Sequence, residues 1–411
     1  MTTFEQKRTA ARSIPLWLSG LLPLLAVAMM LLVFTLSDPL ALFSGDLPPI
    51  EELAIEKIRV VEDGFVVSLI NAAPDPVTIA QVLVDEAYWQ FAIQPSGILP
   101  RLGRATLHIP YPWVENEPHE VTLVTSTGLT FSGEVPLAAL SPTPGRQEFL
   151  AYGLLGIYVG VVPVALGMLW FPAMRRMGRT WLGAILALTV GLLVFLLLDT
   201  FLEALEVVGG LPEVFQGISL VFFAALTTWL ALQAIGARRR KSSGADARQD
   251  ALHLATLIAL GIGLHNLGEG LAIGAALALG EAALGSFLVI GFMLHNITEG
   301  IGIVAPLVPR RNVSDSELGQ PPKFFLFFGL TLLAGLPAIF GAWIGAFAFS
   351  PLLAALFLGV GLGAIWQVIV EVVALLREYA ARGGTSFYTW ANLTGFLVGL
   401  GVMYLTAFLV K

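Results

Sequence analysis

The chain contains no cysteine. Disulfides, thiolate nucleophiles and cysteine metal sites are therefore excluded. Charge is also scarce. Asp, Glu, Lys and Arg make up 12% of the 411 residues, about half the share usual in soluble globular chains. The phosphate-cradling pattern G-x-x-x-x-G-K-[ST] is missing, so nothing points to a nucleotide-driven pump. What fills the space is apolar. Hydrophobic residues reach 56% and mean hydropathy is +0.82. This excludes an ordinary cytosolic domain, a disordered chain and a nucleic-acid binder.

The net charge of −7 is unevenly spread. Residues 1–36 carry +2. Residues 37–147 carry five basic and fourteen acidic residues, net −9. Residues 148–411 carry fourteen of each sign. The acidic surplus thus sits in the one segment that is not strongly apolar.

Residues 14–36 are uncharged and long enough to cross a hydrocarbon core of about 30 Å. They exceed the apolar stretch of a signal peptide, so an uncleaved anchor is expected. Lys7, Arg8 and Arg12 precede it and place residues 1–13 in the cytoplasm. Residues 37–147 then show short alternating runs such as IRVVEDGFVVSLI and HEVTLVTS, separated by turn signals such as Ala73-Pro74-Asp75-Pro76. About seven short strands at this spacing predict an extracytoplasmic β-sandwich of immunoglobulin-like type. Its histidines, His108 and His119, read as surface or strand residues. Pro142-Thr143-Pro144-Gly145 reads as a linker.

From residue 148 eight apolar runs follow, near 149–171, 181–204, 214–236, 252–279, 283–306, 324–348, 351–376 and 386–409. If the first begins outside, the inner loops hold thirteen of the last fourteen basic residues, and only Lys411 falls outside. That asymmetry fits the positive-inside rule. The expected fold is mostly α: a polytopic membrane protein with nine spans, its C-terminus outside, in the inner membrane.

Ionisable residues in such spans default to a functional reading. Here they recur as a motif. The fourth core run contains Leu264-His265-Asn266-Leu267-Gly268-Glu269-Gly270, and the fifth contains Leu294-His295-Asn296-Ile297-Thr298-Glu299-Gly300. In each copy His and Glu are four apart, one helical turn along one face. The short link near 279–285 makes the two helices antiparallel neighbours, so their polar faces can meet near mid-membrane. A lone His or Glu would read equally well as a packing residue. Two copies at matched depth favour a metal site. Imidazole with carboxylate suits zinc and other first-row divalent ions. Two carboxylates and neutral histidines would balance one divalent charge. Gly268, Gly270, Gly300 and Gly302 permit close helix approach.

Other embedded polar groups are weaker signals. Asp199 and Glu203 fall near the outer end of the second core helix, and Gln367 and Glu371 lie within the seventh. All four are candidate pathway or auxiliary metal residues. Gln233 and Asn392 read as interhelical hydrogen-bonding residues. His253 reads as a solvated interfacial histidine.

At these motifs the chain resembles the ZIP (Zrt/Irt-like) divalent-metal transporters, most closely the bacterial branch. The resemblance covers about 148–411, including LLLDTFLEALE and GAIWQVIVEVV, and not 1–147. It implies an eight-helix core around a midplane metal site, with His265, Asn266, Glu269, His295, Asn296 and Glu299 as ligands. Two positions depart from the family pattern. Asn296 stands where the fifth helix usually has an acid, and Ala338 stands where the sixth often has Glu. One main metal is therefore expected. The third loop is short and basic, with no histidine before His253, which speaks against metal sensing there.

The expected function is transport of a divalent metal toward the cytoplasm. Zinc is preferred, with iron, manganese, cobalt or cadmium also compatible. The partners are the metal ion and the lipid bilayer, without nucleic acid. The sandwich could form a homodimer, deliver metal or bind something else. A receptor or sensor built on the sandwich is the alternative. An intramembrane metalloprotease fits poorly: H-E-x-x-H places Glu beside the first His, and here both positions are Asn. The chain is read as a non-enzyme.

Overall fold

A computed structural model describes residues 16–37, 50–95, 97–242, 247–280, 282–308, 324–382, 384 and 386–410. Residues 1–13, the basic residues Arg310, Arg311 and Lys323, and Lys411 lie outside the described residues.

Helix α1, Leu16–Ser37, corresponds to the expected anchor and forms a unit by itself. Within it, Leu21–Ser37 is a shorter apolar helix than the eight described below.

The β region holds nine strands: β1 Leu53–Val61, β2 Gly64–Asn71, β3 Val77–Val84, β4 Ala87–Trp89, β5 Ala92–Gln94, β6 Ile98–Leu99, β7 Arg104–Pro110, β8 His119–Thr125 and β9 Thr130–Val135. They pair antiparallel in the orders β1-β2-β7-β5 and β4-β3-β8-β9, with β6 beside β3. Two-residue periodicity drives this arrangement. In β7 buried and less buried residues alternate, so Ala105, Leu107 and Ile109 point into one core with Val67, Leu69, Val82 and Leu123. The count exceeds the expected seven because β4, β5 and β6 are only two or three residues long, too short to alternate visibly.

Both histidines of the β region lie on strands, as expected, and one belongs to a buried polar cluster. His119 is buried, while His108 is exposed on β7. The β3–β4 turn holds Asp85 and Glu86 at φ 49° and 66°, the left-handed pair typical of a two-residue hairpin. This aims the Asp85 carboxylate back at β8. Its Oδ1 accepts from the Glu120 amide at 2.9 Å, and its Oδ2 meets the Tyr111 hydroxyl at 2.9 Å and His119 Nδ1 at 2.7 Å. Partial burial raises the Asp85 pKa, but the Glu120 amide, His119 and Tyr111 outweigh it and hold the carboxyl below its ordinary value. Folding thus favours the ionised form. That contribution is present at pH 7 and is lost as pH falls below about 4. Asp85→Asn should lower the thermal midpoint at pH 7, and the gap to the parent should shrink below about pH 4, as unfolding scans at both pH values would report.

The helical region contains eight helices long and apolar enough to cross a membrane. The first is composite: α2 Arg146–Gly156, a π-turn Ile157–Val161, α3 Val162–Met168 and α4 Phe171–Met174. The others are α5 Arg179–Gly209, α6 Gly217–Ser242, α7 Ala247–Ala278, α8 Ala282–Val304, α9 Phe324–Ala348, α10 Pro351–Arg382 and α11 Trp390–Val410. The interruption in the first helix has a cause in the sequence: Pro163 has no N–H to give to Val159 O, and the helix breaks just before it.

Small residues let these helices meet backbone to backbone. On α7, a Cβ at Gly270 would stand 2.1 Å from Ala338 O of α9. On α9, one at Gly341 would stand 2.1 Å from Leu267 O of α7. Such close crossings are the expected use of small residues between apolar helices. Of the four motif glycines, Gly270 and Gly300 meet a neighbouring backbone, whereas Gly302 faces the Thr189 side chain and Gly268 has nothing nearer than 3.9 Å.

The β region touches the helical core at one informative place. Ala138, just past β9, is buried and exchanges backbone hydrogen bonds of 2.9 Å with Asn116 and Glu117. Beside it, Leu137 and Ala139 pack on Gly280, which joins α7 to α8 with φ +84°. A Cβ at Gly280 would stand 2.9 Å from Leu137 O.

Candidate functional site

Helices α7 and α8 run antiparallel, joined by the short link through Gly280. This sets Glu269 opposite His295 and His265 opposite Glu299. All four side chains, and both motif asparagines, are buried.

Glu269 is the organising carboxylate. Its Oε1 lies 3.0 Å from His265 Nε2 and in a closer contact with His295 Nε2, while its Oε2 accepts from Asn296 Nδ2 at 3.0 Å. The same Asn296 amide donates to Val159 O at 3.1 Å, inside the π-turn of the first span. Such turns recur at functional sites because they disturb the regular backbone ladder. Asn266 donates to Ala334 O of α9 at 3.0 Å. Each asparagine thus ties its helix to a different neighbour. The Oδ1 atoms of both remain without a hydrogen-bond partner.

Glu299 differs from Glu269. Neither of its oxygens accepts a hydrogen bond, although the carboxylate is buried. Burying an ionised carboxylate without a partner is costly, so the ionised form of Glu299 calls for a compensating charge. Nitrogen or oxygen atoms of His265, His295 and Glu299 lie within 4.8 Å of one another. Two imidazole nitrogens and a carboxylate oxygen at that separation form a donor set for a divalent cation. Glu269 bridges both rings and can join it.

Two narrow cavities flank these residues. One is lined by Asp199, Glu203, His265 and Glu269, so the sequence candidates on α5 share a space with the motif. Asp199 is half-buried and Glu203 exposed at its mouth. The other is lined by His295, Thr298, Glu299 and Met403. Leu196 lines both and separates them. Neither Leu196 nor Met403 was singled out from the sequence, since an aliphatic or thioether side chain in an apolar run carries no signal of its own.

The other candidates fall elsewhere. Gln367 and Glu371 are buried on α10 and hydrogen-bond each other at 3.0 Å, outside both cavities. His253 is half-buried, with Nε2 3.3 Å from Gly236 O of α6, and is not a simple solvated histidine. Asn392 donates to Phe387 O at 2.9 Å, so it caps its own helix entry instead of bridging helices. Gln233 is half-buried on α6. Ala338 is fully buried among small residues: its backbone approaches Gly156 and Gly270, and its Cβ faces Gly160. A longer acidic side chain has no room there without separating helices.

No family model matches this chain, and no curated protein matches it.

Proposed function

We propose that this chain is a multi-pass membrane transporter that moves divalent transition-metal ions, zinc foremost, toward the cytoplasm, in the manner of the ZIP proteins its motifs resemble. The observation that carries the reading is the buried cluster of His265, His295 and Glu299, in which neither Glu299 oxygen makes a hydrogen bond of ordinary geometry. Packing alone gives no reason to bury such a carboxylate beside a second one, Glu269, on the adjacent helix. A divalent cation supplies the missing charge.

The path follows from the cavities. Asp199 and Glu203 attract the ion at the outer side, and the acidic sandwich raises its local concentration. The ion loses water, takes the imidazoles, and engages Glu299. Glu269 then changes from bridging two histidines to neutralising the ion. Inward release passes the second cavity. The inner loops are those rich in arginine, which puts the sandwich and the C-terminus outside and residues 1–13 in the cytoplasm of a cell bounded by an inner membrane. The strand order β1-β2-β7-β5 over β4-β3-β8-β9 supports an immunoglobulin-like sandwich.

The test is uptake of zinc into proteoliposomes. The parent should accumulate metal, and the double variant His265→Ala/Glu299→Ala should fall to the protein-free rate. Equal uptake by the two would overturn the reading.

A further inference from the structure

A chain without cysteine has only one source of sulfur for a metal: methionine. There are eight methionines. Met403 on α11 is buried and lines the cavity it shares with His295 and Glu299. Its position is fixed by backbone contacts. A Cβ at Gly191 of α5 would stand 2.2 Å from Phe396 O, and one at Gly399 would stand 2.2 Å from Leu188 O. These two interlocks set the register of α11 on α5. Met403 follows Gly399 by one turn, which brings it to the level of Leu196 and the motif histidine.

A buried thioether next to an unpartnered carboxylate is an odd choice for packing alone. Leucine fills comparable space without a polarisable sulfur. As a donor, a thioether is neutral and soft. It favours thiophilic ions and adds little for hard ones such as manganese, which prefer oxygen. The rest of the donor set leans the same way, with two imidazoles and, at Ala338, an alanine in place of a further carboxylate.

We propose that Met403 is a selectivity residue of the metal site, its thioether facing the ion held by His295 and Glu299 and favouring cadmium and zinc over manganese. This rests on the metal-transport reading above.

The experiment is X-ray absorption on the purified full-length chain loaded with cadmium, paired with competition binding of cadmium against manganese. The parent should show a sulfur scatterer. Met403→Leu should lose it, and its cadmium-over-manganese preference should fall by about tenfold or more. Met168→Leu should keep the sulfur signal, because Met168 lies outside that cavity and its sulfur accepts the Thr331 hydroxyl at 3.2 Å. The parent spectrum needs no variant, so misfolding of Met403→Leu cannot mask the answer. Cadmium bound only through nitrogen and oxygen in the parent, or an unchanged preference in Met403→Leu, would overturn this proposal alone. A parent that binds neither ion would overturn the transport reading along with it.

Discussion

Glu299→Gln should raise the stability of the metal-free protein and abolish its stabilisation by zinc. The two effects have opposite signs, which is what makes the experiment informative. In the metal-free chain Glu299 is buried and neither oxygen accepts a hydrogen bond. An unsatisfied buried polar group costs about 1–3 kcal/mol, and more if charged. Glutamine keeps the shape and removes the charge, so the thermal midpoint should rise by a few degrees. With zinc the order should reverse. A ligand at a hundred times its dissociation constant stabilises a protein by about 2.7 kcal/mol. The variant should forfeit most of that gain, because loss of even an indirect supporting group weakens metal sites by about 10–100-fold. Thermal scans of both proteins with and without zinc give all four numbers. A variant that is less stable without metal would show that Glu299 serves packing.

Gly270→Val should be among the most damaging single changes in the helical core. The Cβ alone would stand 2.1 Å from Ala338 O and 2.9 Å from the Ala342 nitrogen, both backbone atoms that cannot rotate away. Overpacking usually costs about 1–3 kcal/mol, and a clash with rigid backbone falls at or above the upper end. Helix α9 must move outward to relieve it. Glu269 is the neighbouring residue on α7, so its bridge to both histidines should open as well. The expected outcome is a thermal midpoint lowered by several degrees together with lost zinc binding. Gly268→Val is the control for stability alone, since the nearest atom outside its own helix, Phe357 O of α10, is 3.9 Å away, while Gly268 itself lines the Asp199 cavity. It should be far milder, and similar damage from both would contradict the proposed cause.

The helical region was legible because a bilayer-length apolar run is hard to mistake. All eight runs correspond to helices, although α5, α6 and α10 extend past the expected ends to Gly209, Ser242 and Arg382. The added stretches carry Glu206, Arg238 and Arg377, charges that end an apolar run without ending a helix. The paired motif was legible because spacing four puts His and Glu on one face whatever surrounds them. Three things were not. The division of labour between the two acids depends on distances across helices: Glu269 is saturated with partners and Glu299 has none. The asparagines look like ligands in sequence, and only the structure shows that their amide nitrogens also tie the helices to Ala334 and Val159, with both Oδ1 atoms left over. His119 looks like a strand residue, and only the hairpin turn at Asp85 shows why it is buried.

The junction at Gly280 joins two parts of the chain that are far apart in sequence. The stretch that leaves the β region rests on the link between the two helices that carry the whole motif. Any side chain larger than glycine at that link meets Leu137 O and also needs a left-handed backbone, so the spacing between β9 and the α7–α8 hairpin tolerates no bulk there.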